Sequence, residues 1–295
     1  MRRIVVAVIA FVGWAGCALA APQAVTTDPK PDKTHPAAMD YVQIPSHGAL
    51  LNGVMYTASG AGPHPGVVLL HGFPGNEQNL DLAQAVRRAG FNVLTLHYRG
   101  AWGSPGAFSF THAAEDADAA IQFMAQNAQK FATDPARIFV AGHSMGGWLA
   151  ASAADHAPNL AGLIMISAWD VGAQGPSFRD PAVRAKQAKG EFGENVIPLA
   201  GTSADALMQE AAQNAAKWEF VDYAGALKSR PVLIVTSDDG LAPDNDRLAQ
   251  ALKKDGARDV SEIHFATDHS YSDHRIALES AVVEWLAKHD AAAMH

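Results

Sequence analysis

Cysteine occurs once in 295 residues, at Cys17, so the chain has neither an internal disulfide framework nor a thiolate cluster for structural zinc. Basic residues are also few: 22 Lys and Arg stand against 30 Asp and Glu, a net charge of -8, which argues against a nucleic-acid partner. The apolar run near the N-terminus falls short of the roughly 20 residues that cross a bilayer core, so no stable membrane span is expected. Hydrophobic residues are not scarce. At 48% of the chain they suffice for a substantial core and exclude disorder as the main state.

The N-terminal run has another use. Arg2 and Arg3, the apolar stretch Ile4 to Gly16 and the small residues of Ala18-Leu19-Ala20 have the order of a signal peptide cut after Ala20. The alternatives are a retained anchor and a lipoprotein signal on Cys17, although Trp14 stands where that pattern normally has an aliphatic residue. Cleavage removes Cys17 and both arginines, leaving 20 basic against 30 acidic residues and a charge of -10. The expected product is exported, periplasmic or secreted, and free of thiols.

Residues 21–39, rich in Pro, Thr, Asp and Lys, have the composition of a flexible leader. From 40 to 295 short β-branched runs alternate with helical periods, the pattern of an α/β domain. An opening hairpin, Tyr41 to Ile44 and Leu51 to Thr57, is followed by strands at 66–71, 91–97, 137–142, 160–167, 231–237 and 260–265. Helices are expected at 79–89, 114–130, 145–156, 244–255 and 274–288. The fold class is therefore α/β, a mostly parallel eight-stranded sheet with helices on both faces. Nearly sixty residues, 168–226, separate two core strands that need one crossover helix, which points to a small helical cap with its clearest helix from Ala204 to Phe220.

Gly142-His143-Ser144-Met145-Gly146-Gly147 is a G-x-S-x-G sequence placed after a strand and opening an Ala-rich helix, the setting that lifts a serine hydroxyl clear of a sheet edge. A serine hydroxyl needs a base, and the base needs an orienting carboxylate. Asp238 and Asp239 both follow the strand 231–237; Asp239, further into the loop, is the candidate acid, with Asp238 the alternative. His269, in the loop after the last strand, is the candidate base, whereas His274 begins a helix. The two histidines lie five apart, wrong for one helical face, so no metal site is expected, and acyl transfer requires no cofactor. In His71-Gly72-Phe73-Pro74-Gly75, after another strand, the Phe73 amide can join that of Met145 as an oxyanion hole; Pro74 has no N–H to compete. Phe73 and Trp102 are candidates for the substrate-pocket wall.

Together these residues resemble the α/β-hydrolase superfamily, over about 40–290, in the chain order Ser144, Asp239, His269. Tyr98-Arg99-Gly100-Ala101-Trp102-Gly103-Ser104 resembles a loop of esterase-like and prolyl-oligopeptidase-like members. His71 to Pro74 also resembles epoxide hydrolases, but those carry an aspartate where Ser144 stands. The resemblance implies a serine hydrolase with a cap over its pocket; a small-molecule carboxylic ester is the expected substrate because Phe73, Trp102, Trp148, Trp169, Trp218 and Tyr271 lie in or near the expected mouth and cap. An aminopeptidase or amidase, with Glu191, Glu194 or Asp205 anchoring an amine, is the alternative, and a non-catalytic binding protein on the same fold is another. Oligomeric state is not legible.

Overall fold

The computed structural model describes residues 22–293; the expected signal peptide, its expected cut after Ala20 and Cys17 lie outside the described residues. Eight strands form one sheet in the order β1-β2-β4-β3-β5-β6-β7-β8: β1 Ala38–Ser46, β2 Ala49–Thr57, β3 His64–Leu70, β4 Asn92–Leu96, β5 Thr133–His143, β6 Gly162–Ile166, β7 Val232–Ser237 and β8 Val260–Phe265. The first two pair antiparallel, β2 meets β4 antiparallel, and every later pairing is parallel.

Burial follows position in the sheet. β4, β6 and β7 are buried at every residue because helices cover both faces, as continuous apolar runs require. At the edges, β1 and β8 alternate between shielded and exposed positions. One face is covered by the helices Phe110–Gln126, Met145–His156 and Ala242–Lys254, the other by Leu80–Arg88 and the C-terminal helix Arg275–Ala293. Among the described residues no helix is long and apolar enough to cross a membrane.

Capping side chains set several ends. The helix expected at 114–130 starts earlier, at Phe110, because Ser109 Oγ accepts from the His112 amide and Glu210 accepts from the amides of Phe110 and Thr111. It stops at Gln126, and a separate turn, Ala128–Phe131, follows. β5 begins four residues before the expected Arg137, since Thr133 pairs with His64 across a register shift. The segment 22–37 holds one helical turn, Gln23–Thr26, where Arg88 Nε donates to the Ala24 carbonyl at 2.6 Å.

Between β6 and β7 lie the helical pieces Val171–Gln174, Gly175–Arg179, Pro181–Gln187, Glu191–Asn195, Ala204–Trp218, Phe220–Tyr223 and Ala224–Leu227. Backbone bonds fasten them to the loop after β4: Ala200 N donates to Gly100 O at 2.7 Å and Phe108 N to Ala200 O at 2.9 Å. That loop is anchored in turn by Arg99, whose Nε lies 2.7 Å from the fully buried Asp116 carboxylate.

Candidate active site

β5 ends at His143 and the helix Met145–His156 starts two residues later, so Ser144 makes the turn alone, at φ 57° and ψ -123°. A non-glycine residue adopts such a left-handed backbone only when its surroundings enforce it. Here they do. A Cβ on Gly142 would lie 1.9 Å from the Gly146 carbonyl oxygen, and one on Gly146 would lie 2.1 Å from that of Leu70. The absent side chains let β3, β5 and the helix close around the serine, and Ser144 N donates to Ile166 O at 2.9 Å.

The loop after β3 approaches from the side, where a Cβ on Gly72 would stand 3.4 Å from Ser144 Oγ. His71 Nδ1 donates to the Gly72 carbonyl at 2.7 Å. Since that carbonyl and the Phe73 N–H belong to one peptide unit and point opposite ways, fixing the first aims the second. Burial lowers the His71 pKa to about 3, so the imidazole stays neutral and keeps this role across the physiological range. Tyr98 Oη donates to His71 O and Trp102 Nε1 to Pro74 O, both at 2.9 Å, and the Phe73–Pro74 bond is cis. Among the described residues the amides of Phe73 and Met145 have no backbone acceptor.

Beyond β7, the neighbouring aspartates diverge. Asp238 is exposed and faces His264 Nε2 at 3.1 Å, whereas the Asp239 carboxylate is buried and receives His269 Nδ1 at 2.7 Å. Burial would raise the Asp239 pKa, but hydrogen bonds from His269, the Leu241 amide and the hydroxyls of Ser167 and Ser237 outweigh it and hold the carboxyl well below its usual range. An ionised Asp239 beside Nδ1–H leaves His269 Nε2 bare, as a proton acceptor must be. His274 pairs instead with its neighbour Asp273, at 2.8 Å.

The structure thus brings the Asp239–His269 pair, the Ser144 elbow and the Phe73 and Met145 amides to one edge of the sheet. Ser144 Oγ itself makes no hydrogen bond among the described residues; such contacts often tighten only when substrate binds. Phe73 is half-buried and packs against Phe192 of the inserted segment at 5.1 Å between ring centres, and against Trp169 at 6.2 Å. The Trp102 indole braces the Pro74 carbonyl, and its ring lies 6.4 Å from that of His97. Glu191, Glu194 and Asp205 are exposed, and Asp205 is taken by Arg184 at 2.8 Å.

A family model for the alpha/beta hydrolase fold matches residues 64–272. The chain belongs to the α/β-hydrolase family. This hydrolase superposes on an esterase of Pyrobaculum calidifontis with a TM-score of 0.66 at 25% identity, covering 89% of this chain and 88% of that one. A carboxylesterase cloned from a metagenomic library gives 0.64 at 24% identity over 87% and 90%. The acylaminoacyl peptidase of Pyrococcus horikoshii gives 0.63 at 16% identity over 85% of this chain but 41% of its own, a likeness of fold. An uncharacterized protein of Mycobacterium tuberculosis is 32% identical over 131 residues, so the match spans 44% of this chain and less than half, 46%, of that relative.

Residues that the motifs do not announce complete the site. Ser167, Ser237 and Tyr271 form a buried hydroxyl chain below Asp239, with Ser167 Oγ 2.9 Å from both Ser237 Oγ and Tyr271 Oη. Each ends or directly follows a strand, or lies near the candidate base, the one signal that could have marked them. Trp148, Trp218 and Tyr271 are buried in the core, as aromatic residues usually are.

Proposed function

We propose that this α/β hydrolase is an exported serine hydrolase that cleaves carboxylic esters through an acyl-enzyme. His269 takes the Ser144 proton, the hydroxyl attacks the ester carbonyl, and the Phe73 and Met145 amides hold the oxyanion. Asp239 keeps the imidazole in the right tautomer and stabilises its charged form. The alcohol leaves with the proton from His269; water, deprotonated by the same histidine, then releases the acid. The observation that carries this reading is the 2.7 Å Asp239–His269 bond, formed by two loops far apart in sequence beside the Ser144 elbow.

The ester preference draws support from the structural similarity to esterases and from the aromatic surroundings of Phe73. That segment serves as the cap. Export follows from the N-terminal pattern, and the mature chain is expected to begin at Ala21 when its N-terminus is sequenced.

A fluorophosphonate probe should label the wild type and leave Ser144→Ala unlabelled. Labelling of Ser144→Ala, or none of the wild type, would remove the triad. Rates on p-nitrophenyl esters should exceed those on aminoacyl anilides; faster anilide turnover would replace the esterase by an amidase.

A further inference from the structure

Strand periodicity carries Phe139, Ala141 and His143 along one face of β5, toward the C-terminal helix and the loop that bears His269. His143 is one of the two variable residues of the Gly142-His143-Ser144-Met145-Gly146 motif, and that motif asks nothing of it. Yet its imidazole is buried, 4.6 Å from the His269 ring between centres, and its Nε2 lies 2.8 Å from the His269 carbonyl oxygen. A carbonyl only accepts, so Nε2 carries the proton and Nδ1 is bare; Nδ1 has no partner among the described residues. Burial, and then the nearby His269, lower the His143 pKa to about 3, which keeps it a neutral donor even while His269 is charged during turnover.

The next carbonyl along is held too. Arg275 Nη1 donates to Ser270 O at 3.0 Å. The guanidinium is itself fixed, with Nε donating to Asp81 Oδ2 at 2.7 Å and Nη2 to Asn79 Oδ1 at 3.0 Å, both from the start of the helix Leu80–Arg88. Side chains from two separate elements thus grip successive peptide units of a loop whose other ties run through side chains, between His269 Nδ1 and Asp239 and between Tyr271 Oη and Ser167 Oγ, and through short turns such as Ser272 N to Asp268 Oδ1. Neither side chain touches Asp239 or Ser144 through any hydrogen bond.

We propose that His143 and Arg275 form a carbonyl clamp that positions His269 for proton transfer, with His143 the principal member. The inference rests on the triad reading above. His143 is a positioning residue: it acts through the backbone of the base, so its loss should slow chemistry without weakening substrate binding.

The test compares His143→Leu, which removes the donor, with His143→Gln, which returns an N–H the same number of bonds from Cβ. With p-nitrophenyl ester substrate, His143→Leu should lower kcat by about 10- to 100-fold while KM stays within about twofold, as for a catalytic group displaced by ~1 Å. His143→Gln should restore most of the loss. Wild-type kcat in a folded His143→Leu, or a glutamine no better than leucine, would overturn the clamp. Should His143→Leu not fold, Arg275→Met carries the test, with the same split expected and wild-type kcat the overturning result. Ser144→Ala in parallel separates the two readings: activity surviving there defeats the triad itself, whereas its loss beside an unimpaired clamp variant defeats the clamp alone.

Discussion

Replacing Asp239 by asparagine changes one atom and should remove most of the activity. In the wild type both carboxylate oxygens accept, Oδ2 from His269 Nδ1 at 2.7 Å and Oδ1 from the Leu241 amide at 2.9 Å. Asparagine has one acceptor and one amino group, so it cannot satisfy two facing donors. If its oxygen stays with Leu241, the amino group faces His269 and drives the imidazole to the tautomer with hydrogen on Nε2, which cannot take the serine proton. If the oxygen turns to His269, a buried amide loses its acceptor and the imidazolium still loses its counter-charge. The expected fall in kcat is about 10³- to 10⁴-fold, or ~4–5.5 kcal/mol of barrier. Initial rates with a p-nitrophenyl ester measure it, beside circular dichroism to show that Asp239→Asn folds. A folded variant retaining more than a tenth of wild-type kcat would refute the role assigned to Asp239.

Two further substitutions test the frame around the site. Gly146→Ala sets a Cβ 2.1 Å from the Leu70 carbonyl oxygen and 2.8 Å from that of His71, so β3 must move; a loss of about 3 kcal/mol in urea unfolding is expected. Gly225→Ala, whose Cβ meets nothing within 4 Å, serves as its control, and equal stability of the two would refute the packing argument. Asp170 is buried, with one oxygen accepting from the Ala173 amide and the other 4.0 Å from Arg247 Nη2, and burial, aided by the charges of Asp244 and Glu219, raises its pKa to about 7. A carboxyl raised on folding favours the native state fully below its unfolded value, ~3.8, and loses that contribution as pH rises toward about 7. Asp170→Asn should therefore shrink the fall in unfolding free energy between pH 5 and pH 8 by about 2 kcal/mol, allowing for some relief from Arg247. Parallel pH profiles for the two proteins would refute it.

The fold was legible because its strands are short apolar runs and its helices carry turn-period stripes, both local signals. β8 lies at 260–265 as expected, and the helix Met145–His156 has the expected limits. Two of the misjudged ends have causes outside their own segments. The early start at Phe110 depends on Glu210, 100 positions away, as well as on the local cap Ser109, and the extension of β5 to Thr133 depends on pairing with His64. No window of sequence contains either pair. The helix expected from Ala204 to Phe220 stops at Trp218 because Glu219 turns to an extended conformation, φ -68° and ψ 110°, before a short 3-10 turn.

The site divides along the same line. Ser144, Phe73 and Met145 stand in motifs whose glycines are required by close backbone approach, so local sequence marks them. The choice between Asp238 and Asp239 was open on composition and turns on three dimensions: one side chain faces His264 at the surface, the other His269 in a buried hydroxyl network. His143 and Arg275 were out of reach altogether, because each is bonded to the loop of the candidate base through a backbone carbonyl, that of His269 or that of Ser270, and a carbonyl looks the same behind every residue type. Such contacts place no demand on the identity of the residue they hold. They constrain only the donor, and an isolated histidine or arginine in a sequence does not say which carbonyl it will meet. Groups that act on side chains leave patterns in sequence; groups that act on the main chain become visible only when the chain is folded.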